Sequence, residues 1–288
     1  MKTLILKPLG LHLGYLGCYG NDWIATPNLD RIAAEGATFD RHFIETPDQP
    51  SHTIEDWLEG VLDQLTDAKA HWINGPNLGP PWNLPDDLLA LYTEDDEVEP
   101  CPDPDAESAT ESDFLLRVQD TYAAAVTCFD AQVGRLLEEI DARGLAEKML
   151  LIVTSGASLP LGEHGVIGWN DLRPYEALAH VPLLMRGPGV PAGTRIGAIT
   201  QPADLLTTLS KQPGGFDLWP LLKGEVDAVR PHAVSRTANG DVALRTLDWA
   251  LIRTASGSRL YVKPDDRWEV SDVASQHREL VESLEALC

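Results

Sequence analysis

Basic residues are scarce in this chain: 22 lysines and arginines stand against 45 aspartates and glutamates, a formal charge of -23. Such a surface repels the phosphates of nucleic acid and anionic membrane headgroups, so neither is expected as a partner. The acidity reads as a solvated face. Cysteine is sparse as well, and Cys18, Cys101, Cys128 and Cys288 lie far apart. No CxxC pair exists for zinc or redox work, which leaves reduced, mostly buried thiols in a cytoplasmic protein as the expectation. No stretch reaches the ~18 apolar residues of a membrane span. The opening MKTLILKPLGLHLG is interrupted by Lys7 and Pro8, and no small-residue cleavage site follows before Asn21. It is therefore read as a first strand, Thr3 to Leu6, and not as a secretory leader.

What is present is enough apolar material, 43% of 288 residues, to bury the core of an α/β domain with an appendage. The organising stretch is Met149 to Gly165, MLLIVTSGASLPLGEHG, whose apolar start reads as a strand buried on both faces. In open α/β sheets ligands bind outside the carboxyl ends of such strands. The loop after it carries one carboxylate, Glu163, and one imidazole, His164.

Elsewhere, Thr26, Pro27 and Gly36 mark a short helix as N-cap, first residue and left-handed C-cap. Amphipathic helices are predicted over Ser51 to Asp67 and Asp113 to Ala142, with a strand at Ala70 to Ile73 and a short helix near Asp86 to Tyr92. Thr93 to Ser112 is acidic and broken by Pro102 and Pro104, a surface loop without the glycine of a calcium-binding hand. Short strands at His232 to Ser235, Val242 to Arg245, Trp249 to Arg253 and Arg259 to Lys263 precede a closing helix, Val273 to Leu287.

GCYGN followed by TPNLDRIAAEG resembles the amino-terminal signature of sulfatases, in the alkaline phosphatase superfamily. VGRLLEEIDARGL, LLIVTS, LGEHG, HVPLLMRGPGV, LWPLLKGE, LRTLDWALIR and LYVKPDDRWEVSDVA follow in family order, so the resemblance spans nearly the whole chain. It implies an α/β sandwich with a mostly parallel central sheet over residues 1–225, and a small antiparallel sheet with a helix over residues 226–288. It also implies a divalent metal, calcium, magnesium or zinc, held by several carboxylates, and a metal-bound nucleophile.

Carried over position by position, that machinery is missing. The family's paired aspartates at the end of the first strand fall on Leu9 and Gly10, and its Asp-His-Gly falls on Gly156, Ala157 and Ser158. The nucleophile motif places Pro50 at the nucleophile and Ile54 at the arginine, or Asp48 and His52 in another register. Only a one-residue shift makes Ser51 the nucleophile, and an N-cap role is simpler for it. Family residues between Gly60 and Ala70, which include a catalytic Lys-His pair, have no counterpart, and the lysine after the GEHG region corresponds to Trp169. Glu163 and His164 persist and read as a loop element, while Tyr19 and Trp23 read as packing residues.

Three functions compete. The first is a non-catalytic sulfatase-like protein acting by binding or assembly, through a protein partner or self-association and without a metal or cofactor. The second is a sulfuric or phosphoric ester hydrolase with a rebuilt site, for which Asp40, His42, Asp48 and His52, with His12, Glu163 and His164 nearby, are the metal-ligating candidates. The third is a structural subunit whose pocket is filled by an apolar plug of Leu9, Leu11, Leu161 or Trp169.

Overall fold

A computed structural model describes residues 2–48, 57–64, 71–93, 112–169 and 172–288. In chain order these form β1 (Lys2–Leu9), α1 (Pro27–Ala34), β2 (Ala37–Phe43), α2 (Trp57–Gln64), β3 (His71–Asn77), α3 (Asp86–Leu89), α4 (Ser112–Ala142), β4 (Met149–Val153), α5 (Glu176–Ala179) and β5 (His180–Arg186). The chain continues with β6 (Thr194–Thr200), α6 (Pro202–Ser210), α7 (Trp219–Leu222), β7 (Ala233–Arg236), β8 (Val242–Arg245), β9 (Trp249–Thr254), β10 (Gly257–Val262) and α8 (Arg278–Glu285).

The first six strands make one sheet in the order β3-β1-β4-β5-β2-β6. All its pairings are parallel except the two made by β5, which runs against both β4 and β2. Every residue of β4 is buried, as its unbroken apolar run requires. Alternation along β1 and β4 assigns the two faces: Leu4, Leu6, Leu151 and Val153 pack under α1, α2 and α4, whereas Ile5, Leu150 and Ile152 pack with Leu205 of α6 and Leu221 of α7. The expected α/β sandwich is thus present. The last four strands form the small antiparallel sheet, β10-β9-β8-β7, and Leu284 of α8 joins Leu244, Leu251 and Leu260 beneath it. A hydrogen bond ties it to the large sheet beyond the carboxyl end of β2, where the Arg236 N–H donates to the Glu45 carbonyl at 2.7 Å.

Several local expectations are corrected. The first strand is longer than Thr3 to Leu6, because pairing with β3 continues past a register shift around Pro8 to Leu9. Thr26 gives α1 no cap: its hydroxyl accepts from Gly17 N–H and bonds Asp30. The cap comes from α4, where Asp130 accepts the N–H groups of Asn28 at 3.2 Å and Leu29 at 2.8 Å. Gly36 is no left-handed C-cap. A Cβ there would strike the Met185 carbonyl of β5, so close approach of the backbones is what demands glycine. The third strand starts at His71 and extends to Asn77, and the closing helix begins only at Arg278. Cys18, Cys128 and Cys288 are free and half-buried. The remainder of the helix expected over Ser51 to Asp67 and the acidic stretch 94–111 lie outside the described residues.

Candidate functional site

The carboxyl ends of β1 and β4 meet as the fold predicts, and what meets there is backbone and hydrocarbon. Beyond the strands the two chains stay paired: Gly156 N–H donates to the Pro8 carbonyl and Gly10 N–H to the Ala157 carbonyl, at 3.0 and 2.8 Å. The Tyr122 hydroxyl, reaching from α4, donates to the Gly10 carbonyl at 2.6 Å and accepts the His12 N–H at 2.8 Å. The Ser155 hydroxyl accepts from Leu11 N–H and lies 2.6 Å from the Ala157 carbonyl. Polar backbone at this edge is therefore satisfied from within.

Side chains close the same space. Leu9, Ile44, Ala157, Leu178, Ala179 and Val181 form a buried cluster, and Trp169 and Leu172 pack against it. A Cβ at Gly10, whose φ is +87°, would stand 3.2 Å from the Trp169 ring, and one at Gly79 would stand 2.8 Å from its Nε1. Leu11 and Leu161 are buried as well. Beside this plug, the Asp48 carboxylate occupies the space a Cβ at Gly156 would need and pairs with Lys7 at 2.6 Å. A cavity of about 310 Å³ remains there, lined by Lys7, Thr46, Asp48, Thr154 and Ser155.

A divalent ion needs several oxygen or nitrogen donors converging on one point. Leu9, Gly10, Gly156 and Ala157 offer no donor side chain, and among the described residues no group of three or more His, Cys, Asp and Glu converges on a metal position. The residues at this edge do not fit such an ion. The candidates for a rebuilt site are dispersed. Asp40 pairs with Arg195, Asp48 with Lys7, and the buried His42 ring bonds the Thr200 hydroxyl at 2.9 Å. Glu163 accepts the Leu161 N–H and lies 3.8 Å from His12, while His164, at φ 56°, turns away to stack on Tyr175 at 3.7 Å. His12 Nδ1 accepts the Gly14 N–H, so its proton sits on Nε2, and burial lowers its pKa despite the Glu163 charge. Pro50, Ser51, His52 and Ile54 lie outside the described residues. Tyr19 does more than pack: its hydroxyl donates to the Phe39 carbonyl and accepts the Leu183 N–H, joining β2 to β5. Trp23 is half exposed, edge-on to Tyr15 and Tyr92.

A second cleft, of about 300 Å³, opens between the large and small sheets and is lined by Phe43, Glu176, His180, Arg245, Leu247 and Lys263 among others. Its floor is an ion network that sequence reasoning missed. Arg245 donates to Glu269 at 2.9 Å and to the Pro174 carbonyl at 2.7 Å. Lys263 lies 3.1 Å from Glu176 and 3.3 Å from Glu269. Burial alone would raise the pKa of Glu176, but the charges of His180, Arg245 and Lys263 outweigh it and hold that carboxyl well below its usual range. These residues come from α5, β5, β8 and the turn after β10, so no motif spacing announces them; unpaired charges within the two apolar segments 242–245 and 259–263 are the only hint in the sequence.

The Sulfatase family model matches residues 71–214, half of the chain. Iduronate 2-sulfatase of Homo sapiens is 38% identical over 77 residues, 27% of this chain and 14% of that protein. N-acetylglucosamine-6-O-sulfatase of Bacteroides thetaiotaomicron is 29% identical over 180 residues, 55% of this chain and 30% of that protein. The chain thus spans less than a third of these two relatives. The crystal structure of the phosphonate monoester hydrolase of Agrobacterium radiobacter superposes with a TM-score of 0.77 at 16% identity, covering 99% of this chain and 95% of that one. That likeness is one of fold.

Proposed function

The chain belongs to the sulfatase family, and from that premise we propose that it is a non-catalytic member, with its metal-binding positions given over to packing and the family's nucleophile residues replaced in its sequence, which acts by binding. The observation that carries this reading is the Trp169 indole seated against Gly10, in a cluster with Leu9 and Ala157, at the strand ends where the family's ligands belong. Ester hydrolysis at enzymatic rates requires about 8 kcal/mol or more of barrier lowering. A positioned acid or base supplies a factor of about 10²–10⁴, and a hydroxyl without a metal or a base remains a weak nucleophile. The pair left to supply even that, Glu163 and His164, faces two different neighbours.

The reading of a purely structural subunit is favoured by the packed Leu9 and Trp169 cluster and opposed by two open, charged spaces, one beside that cluster and one between the sheets, which packing has not closed. A rebuilt hydrolase is opposed by the dispersal of Asp40, His42 and Asp48 to separate partners. Metal analysis of the purified protein, run beside a screen of aryl sulfates and phosphate esters, tests the proposal. Less than stoichiometric divalent metal and no turnover above background are expected. One equivalent of calcium, magnesium or zinc, or turnover that Ser51→Ala abolishes in a folded protein, overturns it.

A further inference from the structure

The mouth of the cleft between the sheets carries two guanidinium groups that the ion network beneath it does not use. The carboxylates of its lining and floor are already matched: Asp40 pairs with Arg195, and Glu176 and Glu269 share Arg245 and Lys263. Arg41 and Arg267 also line the cleft, and neither has a carboxylate partner among the described residues. Arg41 is half-exposed and donates Nη1 to the Gly197 carbonyl, whereas Arg267 is exposed. In a chain with 45 acidic residues and 22 basic ones, two arginines left over at one opening run against the charge of the whole.

The same opening is edged with exposed hydrocarbon. Leu247 and Pro264 line it, and Trp268 flanks it with the Arg267 guanidinium 4.9 Å from its ring centre. Leu247 is 49% exposed, Trp268 46% and Val270 73%. The backbone that presents them is tightly held. The Lys263 N–H donates to the Asp248 carbonyl at 2.8 Å, joining the turn of Leu247 to that of Trp268. Asp266 accepts the Val270 and Ser271 N–H groups, and Lys263 Nζ donates to the Asp266 and Arg267 carbonyls. Glu269, at φ +57°, turns inward to Arg245, while Trp268 and Val270 on either side of it stay in solvent. An ordered turn that keeps such apolar surface in water beside free arginines has the composition of a binding hot spot.

We infer that this opening docks an acidic segment of a partner protein, with carboxylates on Arg41 and Arg267 and an apolar side chain against Leu247, Pro264 and Trp268. Charge selects the class. Carboxylates supply what the two unmatched guanidinium groups lack, and the remaining surface of a chain at formal charge -23 repels an acidic segment from other sites. The space behind the mouth, about 300 Å³, takes a side chain and leaves the partner's backbone at the rim. Because the turn is ordered beforehand, docking costs little of its freedom. The inference rests on the binding role proposed above and names the chemistry of the partner.

Fluorescence anisotropy at physiological salt tests it, with a labelled peptide that carries glutamates on both sides of a central leucine pair. Saturable binding, one peptide per chain, is expected. The counterpart with glutamine for glutamate and the counterpart with serine for leucine should each bind more weakly by about tenfold or more. Arg267→Glu and Leu247→Ser, both at exposed side chains, should each weaken the acidic peptide by about tenfold or more. Arg278→Glu makes the same charge change on α8, outside the cleft, and should weaken it less than Arg267→Glu does. The inference is overturned if no saturable binding occurs at millimolar peptide, if either counterpart binds as well, or if Arg267→Glu and Arg278→Glu act alike in folded proteins. Self-association that Arg267→Glu abolishes would put a second copy at the opening and overturn the partner assigned here. Ester turnover bears only on the non-catalytic reading, since the peptide carries no sulfate or phosphate ester.

Discussion

Trp169 lies against Gly10 so closely that a single added methyl on that glycine would press on the indole at 3.2 Å. Gly10 is also held at φ +87°, a conformation L-residues avoid. Gly10→Asp, which places a carboxylate at the strand end, is therefore expected to destabilise the protein by about 2–5 kcal/mol, from backbone strain and overpacking together. Urea unfolding measures this. Calcium or magnesium should not raise the melting temperature of the variant, because neighbouring Leu9, Gly156 and Ala157 still provide no donor. A metal-dependent rise would show that the edge can open and that the plug is weaker than its packing implies.

The cap of α1 offers a second test. Asp130 is 2% exposed and holds the first-turn N–H groups of a helix about a hundred residues away. Asp130→Ala removes the acceptor and leaves both donors and the Asn28 amide without it, for an expected loss of about 1–3 kcal/mol. Thr26→Ala leaves these bonds intact and should cost less than Asp130→Ala under the same urea titration. The reverse order would restore Thr26 as the cap.

These two sites show where the sequence was readable. The period of apolar residues is a local property, so β4 as a doubly buried strand, α4 as an amphipathic helix and the short strands near the carboxyl terminus were legible, while the family resemblance supplied the sandwich and the antiparallel small sheet. The antiparallel course of β5 was not, because a strand carries no local sign of its direction. Nor was Asp130: inside a helix it looks like one more solvated carboxylate, and only tertiary structure brings it to α1. Matching positions to the family motif singled out Leu9, Gly10, Gly156 and Ala157, and in the fold Leu9 and Trp169 pack together in one cluster at that edge. Asp40 and His42, offered as ligands of one rebuilt site, are parted in β2, whose register shifts between Phe39 and His42, and the two side chains find Arg195 and Thr200 instead. The cleft network was illegible for the same reason as the cap, its members being assembled from four elements.

Histidine 42 gives the stability of the fold a predictable dependence on pH. The ring is fully buried, bonded through Nδ1 to Thr200, with no partner for Nε2 among the described residues. Loss of solvation pushes its pKa down to about 3, and the nearby His180 and Arg230 charges push the same way. In the unfolded chain the same ring titrates near its ordinary value of about 6.5. Between these limits the unfolded state binds a proton that the folded state refuses, so stability rises with pH through this window and is flat with respect to this group above it. Read downward, acidification from about pH 6.5 toward the folded value should remove about 1.4 kcal/mol per pH unit. His42→Gln keeps a polar side chain but cannot titrate, and it is expected to be less stable than the parent at neutral pH. What identifies the cause is the difference between the two urea-unfolding profiles: the gap should narrow steadily as pH falls below about 6.5. Parallel profiles would mean that His42 is protonated in the folded protein and that its pocket admits the charge.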